Sequence, residues 1–186
     1  MSTWRRGRTL LFQKVRAGML SLDTFLDDEE MNLCARVPGT AVFMAGNPQG
    51  IPLALLHNFK HNKVIHQRVI ILTVRFVEEP YVEPSHRAKI EHFRHGFHRI
   101  SAQYGFMERP NIPDLLREVS SETLPLRPNE VTYFLSRETL VPGREPGMQG
   151  WRRKLFAFMS NNAQAASTFF ELPPGRVVEL GMQVEF

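Results

Sequence analysis

The sequence predicts an α/β fold: a single compact domain with a mixed, partly parallel sheet of about five to six strands flanked by helices, preceded by an amino-terminal helical connector. Three observations point there. Thr40–Ala45 and Val69–Val74 are continuous apolar runs bounded by turn residues, the pattern of strands buried on both faces. Between them Ile51, Leu55 and Phe59 recur at helical spacing, which makes a βαβ unit. Later segments, Ile100-Ala102-Tyr104-Phe106 and Val178-Leu180-Met182-Val184-Phe186, alternate with the two-residue period of a strand.

Taken in order, Leu11, Phe12, Val15, Met19 and Leu22 predict an amphipathic helix over about residues 4 to 18, with Gly18 able to end it. Ser21 then reads as the N-cap of a second helix running toward Cys34, with Leu22, Phe25, Leu26 and Leu33 inward and acids early, where the helix dipole favours them. Residues 1–35 form the connector and 36–186 the α/β domain. A turn at Pro38-Gly39 precedes the first strand, Thr40–Ala45. Gly46-Asn-Pro-Gln-Gly50 breaks the chain, and Pro52 suits the first turn of the helix that follows.

Beyond the second strand, Lys89 to Phe106 reads as a hairpin turning near His95-Gly96. Asn111-Ile-Pro-Asp opens a short helix carrying Leu115, Leu116 and Val119. Val131 to Leu140 reads as a strand, Gly147 to Asn162 as a helix and Val178 to Phe186 as a last strand. The proline-containing linkers at Glu79-Pro80, Glu83-Pro84, 125–128 and 142–146 are loops inside one domain.

The 186 residues are 42% hydrophobic and 23% charged, a composition that supports one buried core. No stretch approaches the ~20 apolar residues of a membrane helix. The formal net charge of +4 would make nucleic acid a first thought, but its distribution weakens that reading. Arg5, Arg6 and Arg8, with Lys14 and Arg16, gather at the start, and Asp23, Asp27, Asp28, Glu29 and Glu30 follow. The basic cluster fits a segment emerging from a membrane span on its positive side, or equally a solvated helix face. The single cysteine, Cys34, excludes an internal disulfide and reads as a small packing residue at a helix end.

Chemistry-bearing constellations are few. His57 and His61 have the i,i+4 spacing of a metal pair, but no glutamate follows the first and Lys60 and Lys63 oppose a cation. His92, His95 and His98 lie across the hairpin, where only the turn could gather residues that a strand would send to opposite faces. Neither P-loop nor Rossmann fingerprint is present, and Ser101, Ser136 and Ser160 lack a nucleophile elbow. Catalysis and a metal site are therefore not expected. One candidate ligand site remains. Gly46, Asn47 and Gly50 follow a buried strand and open a helix, where anions bind in α/β sheets, and Lys60, Lys63 and Arg68 would add charge. The plainer alternative is a tight turn that needs glycine for its backbone.

Several words carry a resemblance. They are Thr3-Trp-Arg-Arg-Gly-Arg8, Arg36-Val-Pro-Gly-Thr-Ala-Val-Phe-Met44, His57-Asn-Phe-Lys-His-Asn-Lys63 and Tyr104-Gly-Phe-Met-Glu-Arg-Pro-Asn-Ile-Pro113. Tyr133-Phe-Leu-Ser-Arg-Glu-Thr-Leu140, Trp151-Arg-Arg-Lys-Leu-Phe-Ala-Phe-Met159 and the closing Leu172-Pro-Pro-Gly-Arg-Val-Val-Glu-Leu-Gly-Met-Gln-Val-Glu-Phe186 complete the set. Together they resemble the cytoplasmic carboxy-terminal tail of KUP/HAK/KT-family potassium-uptake transporters.

The resemblance implies a regulatory or structural domain on the cytoplasmic face of the bacterial inner membrane. Its partner would be its own transmembrane domain, which would carry potassium, with proton symport, and hold every residue that coordinates either ion. It further implies a cyclic dinucleotide as the candidate effector. A homodimer, or simple support of the last membrane helix, are the competing roles. A stand-alone basic module binding nucleic acid or a nucleotide is the alternative from outside the family.

Overall fold

The computed structural model describes residues 21–28, 31, 33–121, 124–141 and 166–185. Contacts divide the chain into two units. The larger comprises Leu20–Ser136 and Ala165–Leu180, and the smaller Met1–Met19, Arg137–Gln164 and Gly181–Phe186. Of the smaller unit, the described residues are the strand ends 137–141 and 181–185.

One six-stranded sheet runs β3-β4-β2-β1-β5-β6, with β1 Ala35–Ala45, β2 Val64–Val77, β3 Ala88–His92, β4 Phe97–Gly105, β5 Val131–Val141 and β6 Val177–Glu185. β1 is parallel to both β2 and β5, β2 is parallel to β4, and β3 is antiparallel to β4. The mixed sheet expected from the sequence is present, and so is the hairpin turning at Arg94–Gly96.

Alternation along the strands sends side chains into two layers. On one face Ala41, Phe43, Val69, Ile71, Phe97 and Phe134 meet α1 (Leu22–Leu26) and α2 (Leu53–His57, continued by a π-helix over Asn58–Asn62). On the other, Val42, Ile70, Leu72, Ile100, Tyr133 and Leu135 meet α4 (Ile112–Glu118). The described residues also include the short helices α3 (Pro84–Arg87) and α5 (Ala166–Phe169). Phe43 and Phe134, opposite each other on β1 and β5, stack at 4.5 Å between ring centres.

Sequence signals act locally as expected at two caps. Ser21 Oγ accepts from Thr24 N at 3.1 Å, and Asn111 Oδ1 accepts from Asp114 N at 2.9 Å. Four expectations are corrected. Leu33 is 87% exposed rather than inward, because α1 closes at Leu26. Pro38-Gly39 is no turn before a strand. It is an irregularity inside β1, where one extra residue lies between Val37 and Thr40 and Gly39 takes φ 107°. β1 begins five residues earlier than Thr40, and β2 extends well beyond 69–74, because its polar ends, His66 to Arg68 and Arg75, still pair with neighbours. Pro52 is the N-cap of α2 rather than part of its first turn. The expected helices at 4–18 and 147–162 lie outside the described residues.

Candidate functional site

The winding of the sheet reverses at β1. The β1–β2 connection crosses the face covered by α2, whereas the β4–β5 connection crosses the opposite face through α4. The carboxyl end of β1 is thus the switch point, the place at which ligands bind in open α/β sheets. Gly46–Gly50 follows it directly. Asn47 Oδ1 accepts from Gln49 N at 3.0 Å, which folds the loop into an Asx turn. Gly50 has φ 101° and requires glycine, whereas Gly46 has no positive φ and open space where a methyl group would stand. At the start of α2, Ala54 N donates to Ser136 Oγ of β5 at 3.1 Å. One of the free amides that would greet an anion is therefore already used. Nearby in register, Thr73 pairs with Ala45, and its buried hydroxyl has no hydrogen-bond partner among the described residues.

Lys60 and Lys63 do not join this loop. α2 carries the chain from the carboxyl end of β1 back to the start of β2, so Lys63 precedes Val64, the partner of Ala35, while Gly46 follows Ala45, the partner of Thr73. Arg68 also lies toward the far end, donating to Thr40 Oγ1 at 3.2 Å and Pro125 O at 3.1 Å. Arg5, Arg6 and Arg8 lie outside the described residues.

The word His57–Lys63 acquires a structural role. Asn58 is buried at the turn from α-helix to π-helix, its Nδ2 donating to Val64 O at 3.0 Å and its Oδ1 accepting from Asn62 Nδ2 at 2.8 Å. Phe59 packs edge-on against Phe25 at 5.1 Å, and Lys63 ends the helix in the left-handed conformation, φ 55°. His57 and His61 stack at 5.3 Å without a further metal-ligating neighbour among the described residues.

A second word, Tyr104–Pro113, is organised by Glu108. Its carboxylate accepts from Gly105 N at 2.6 Å, Val82 N at 3.0 Å and Arg87 Nη2 at 2.6 Å, and the Arg87 guanidinium lies over the Tyr104 ring at 5.2 Å. Burial raises the Glu108 carboxyl, but the two amides and Arg87 outweigh it and hold the group below its ordinary value of 4.5. Burial pushes Tyr104 up to about 12. Phe106 N donates to Glu79 O and Met107 N to Pro80 O, so the side chains of Tyr81, Phe106 and Met107 are presented to solvent. Sequence reading did not single out Glu108 or Arg87, which lie 21 positions apart and outside any catalytic motif. The only local signal was a lone acid set between Gly105 and Pro110.

At the hairpin, the turn does gather two of the three histidines. His92 and His98 stand directly opposite each other, with Nδ1 atoms 2.9 Å apart, while His95 occupies the turn at φ 59°. Burial, then His92 and Arg68, lowers His98 to about 4.

Helices on both faces of a largely parallel sheet, with the connection reversing at β1, make this a three-layer α/β domain of the doubly wound type. Its sequence places it further. The K+ potassium transporter C-terminal domain model matches residues 38–186, and the chain belongs to that family. It is 49% identical over 185 residues to the probable potassium transport system protein Kup of Myxococcus xanthus, covering 100% of this chain and 28% of that protein. It is 47% identical to Kup 2 of Rhizorhabdus wittichii and 47% identical to Kup 2 of Chromobacterium violaceum, again over the whole chain and over 29% and 30% of those proteins. The chain therefore spans less than a third of the length of these relatives. No solved structure matches it. The family is one of transporters rather than enzymes. No helix among the described residues is long and apolar enough to cross a membrane.

Proposed function

We propose that this chain is the cytoplasmic carboxy-terminal domain of a potassium-uptake transporter and that it regulates or supports a membrane portion which carries potassium together with protons. The observation that carries this reading is identity of 45–49% across the entire chain to the end portions of several potassium transport system proteins. Potassium and proton sites belong to the membrane portion. The domain's partner is that portion of its own polypeptide, on the inner face of the bacterial membrane.

For regulation, a nucleotide effector such as a cyclic dinucleotide would bind at the switch point, against Gly46, Asn47 and Gly50. The reversal of strand winding at β1 supports that placement. Lys60 and Lys63 contribute nothing there, so the ligand's charge would be met by backbone amides of the loop. Control of transport further requires that the ligand bind two states of the protein with different affinity.

The test is potassium uptake in uptake-deficient cells by the complete transporter, with and without residues 1–186, normalised to membrane-inserted protein. Uptake by the intact protein supports the reading, and failure to import potassium overturns it. Unchanged uptake per molecule after deletion assigns the domain to regulation or stability. Lost uptake with normal insertion assigns it to the transport cycle. Titration calorimetry of the folded chain with cyclic dinucleotides tests the effector, and absence of heat removes it.

A further inference from the structure

We propose that His92 and His98 form a two-imidazole clamp for a divalent late transition-metal ion, Cu2+, Ni2+ or Zn2+, at the β3–β4 edge of the sheet. β3 and β4 are antiparallel, and Phe93 N bonds Phe97 O at 2.8 Å, which makes the adjacent His92–His98 pair one of the non-hydrogen-bonded pairs. Those pairs bring opposing side chains closest. The register alone therefore turns both imidazoles toward one point, and their rings meet at 5.0 Å, 88° apart, with Nδ1 facing Nδ1.

The separation fits coordination. Two nitrogens at roughly 2.0–2.1 Å from one ion would stand about 2.9 Å apart at an angle of about 90°, and about 3.3 Å apart at the tetrahedral angle. The observed 2.9 Å matches the first, so the two nitrogens already stand at a bonding separation for an ion beside them, toward which both rings would turn. The bond change is simple: the donor ring takes its other tautomer, its proton passing from Nδ1 to Nε2 through solvent, and two N–metal bonds form to rings that both stay neutral.

Backbone geometry holds the clamp. Gly96, at φ 73° in the turn, sits against Gln67 O so closely that a side chain would collide with it, which docks the turn on β2. Ile90 and Ile100 form the next pair on the same face. Arg68 stands on β2 two residues before Ile70, the partner of His98, and acts on His98 through its charge. Its Nη1 is engaged by Thr40 Oγ1 and Pro125 O. Glu91 and Arg99 pair with each other at the neighbouring register position, whose side chains take the opposite face. Water would complete the coordination sphere, because no cluster of three ligating side chains exists among the described residues. Imidazole donors select late transition metals, and potassium, which takes oxygen ligands, does not fit them.

The experiment titrates the metal-stripped 186-residue chain with Cu2+, read by electron paramagnetic resonance, and with Ni2+, read by calorimetry. One equivalent bound through two imidazole nitrogens is expected. His92→Ala and His98→Ala should each weaken binding by at least about tenfold, a scale reached even by loss of outer-shell partners. His57→Ala/His61→Ala, which removes the other close pair, should leave it unchanged. His92 is exposed, so His92→Ala tests the clamp even where His98→Ala disturbs folding, with circular dichroism of the metal-free variants as control. Binding that survives His92→Ala, binding lost with the His57/His61 pair, or no binding at all overturns the proposal.

Discussion

Arg87 and Glu108 form a nearly buried ion pair, Nη2 to Oε1 at 2.6 Å, that ties the chain entering β3 to the chain leaving β4. Arg87 also donates to Val82 O at 3.1 Å and lies 3.6 Å from the Glu118 carboxylate, and its Nε has no partner among the described residues, so removing the Glu108 charge would leave the cation only that longer, more exposed ion pair. Glu108→Gln is expected to destabilise the chain by about 3 kcal/mol at neutral pH in urea denaturation. The pH dependence has a definite sign. The folded carboxyl titrates below its ordinary 4.5, so its contribution is complete above that value and is lost as pH falls through the lowered folded value. The gap between wild type and Glu108→Gln should therefore close in acid, and a constant gap down to that range would contradict the assignment.

Gly105 and Gly46 make opposite predictions. A methyl group on Gly105 would strike Pro80 O and Tyr81 N, both backbone atoms that cannot swing aside. Gly105→Ala should cost on the order of 1–3 kcal/mol, as overpacking does. Gly46→Ala meets nothing and should change stability by less than about 0.5 kcal/mol. The same Gly46→Ala chain then serves calorimetry: a nucleotide approaching the loop backbone closely would bind it less well at unchanged stability.

Ser136 is the point at which β5 supports α2. Ser136→Ala removes the acceptor of Ala54 N, and a loss of about 1 kcal/mol is expected, as for other helix-start caps. If the freed amide instead gains an anion, added phosphate would restore the melting temperature of the variant more than that of the wild type. Equal phosphate response in both chains would show that this helix start takes no anion.

The parts legible from sequence are those in which a local rule and the tertiary environment agree. Val42 and Phe43, or Ile70 and Ile71, are apolar in succession because successive residues face two buried layers. Ser21 and Asn111 cap helices with their own side chains. What escaped depended on partners distant in sequence. His66 to Arg68 are polar yet belong to β2, because backbone pairing with β1 extends past the apolar stretch. Lys60 and Lys63 follow Gly46–Gly50 closely in sequence, yet the intervening helix carries them toward the other end of the sheet. His92 and His98 meet because strand register, not spacing along one strand, decides which residues face each other. A π-turn at Asn58–Asn62 leaves no apolar period of its own to read.

Asn58 offers the sharpest test of that segment. It is 4% exposed, and one side-chain hydrogen bond joins the end of α2 to Val64, the first residue of β2, while the other holds Asn62 within the turn. Asn58→Ala leaves Val64 O without its side-chain donor and should cost about 2 kcal/mol in chemical denaturation, within the range for an unsatisfied buried group. Asn58→Asp should cost more, because a carboxylate oxygen would then face the Val64 carbonyl in place of an N–H donor. Asn62→Ala, at an exposed residue, should cost under about 1 kcal/mol. In the complete transporter, a purely structural role predicts that Asn58→Ala lowers the amount of protein while uptake per inserted molecule stays constant. Reduced uptake per molecule at normal abundance would instead place the His57–Lys63 turn in the coupling between this domain and the membrane portion.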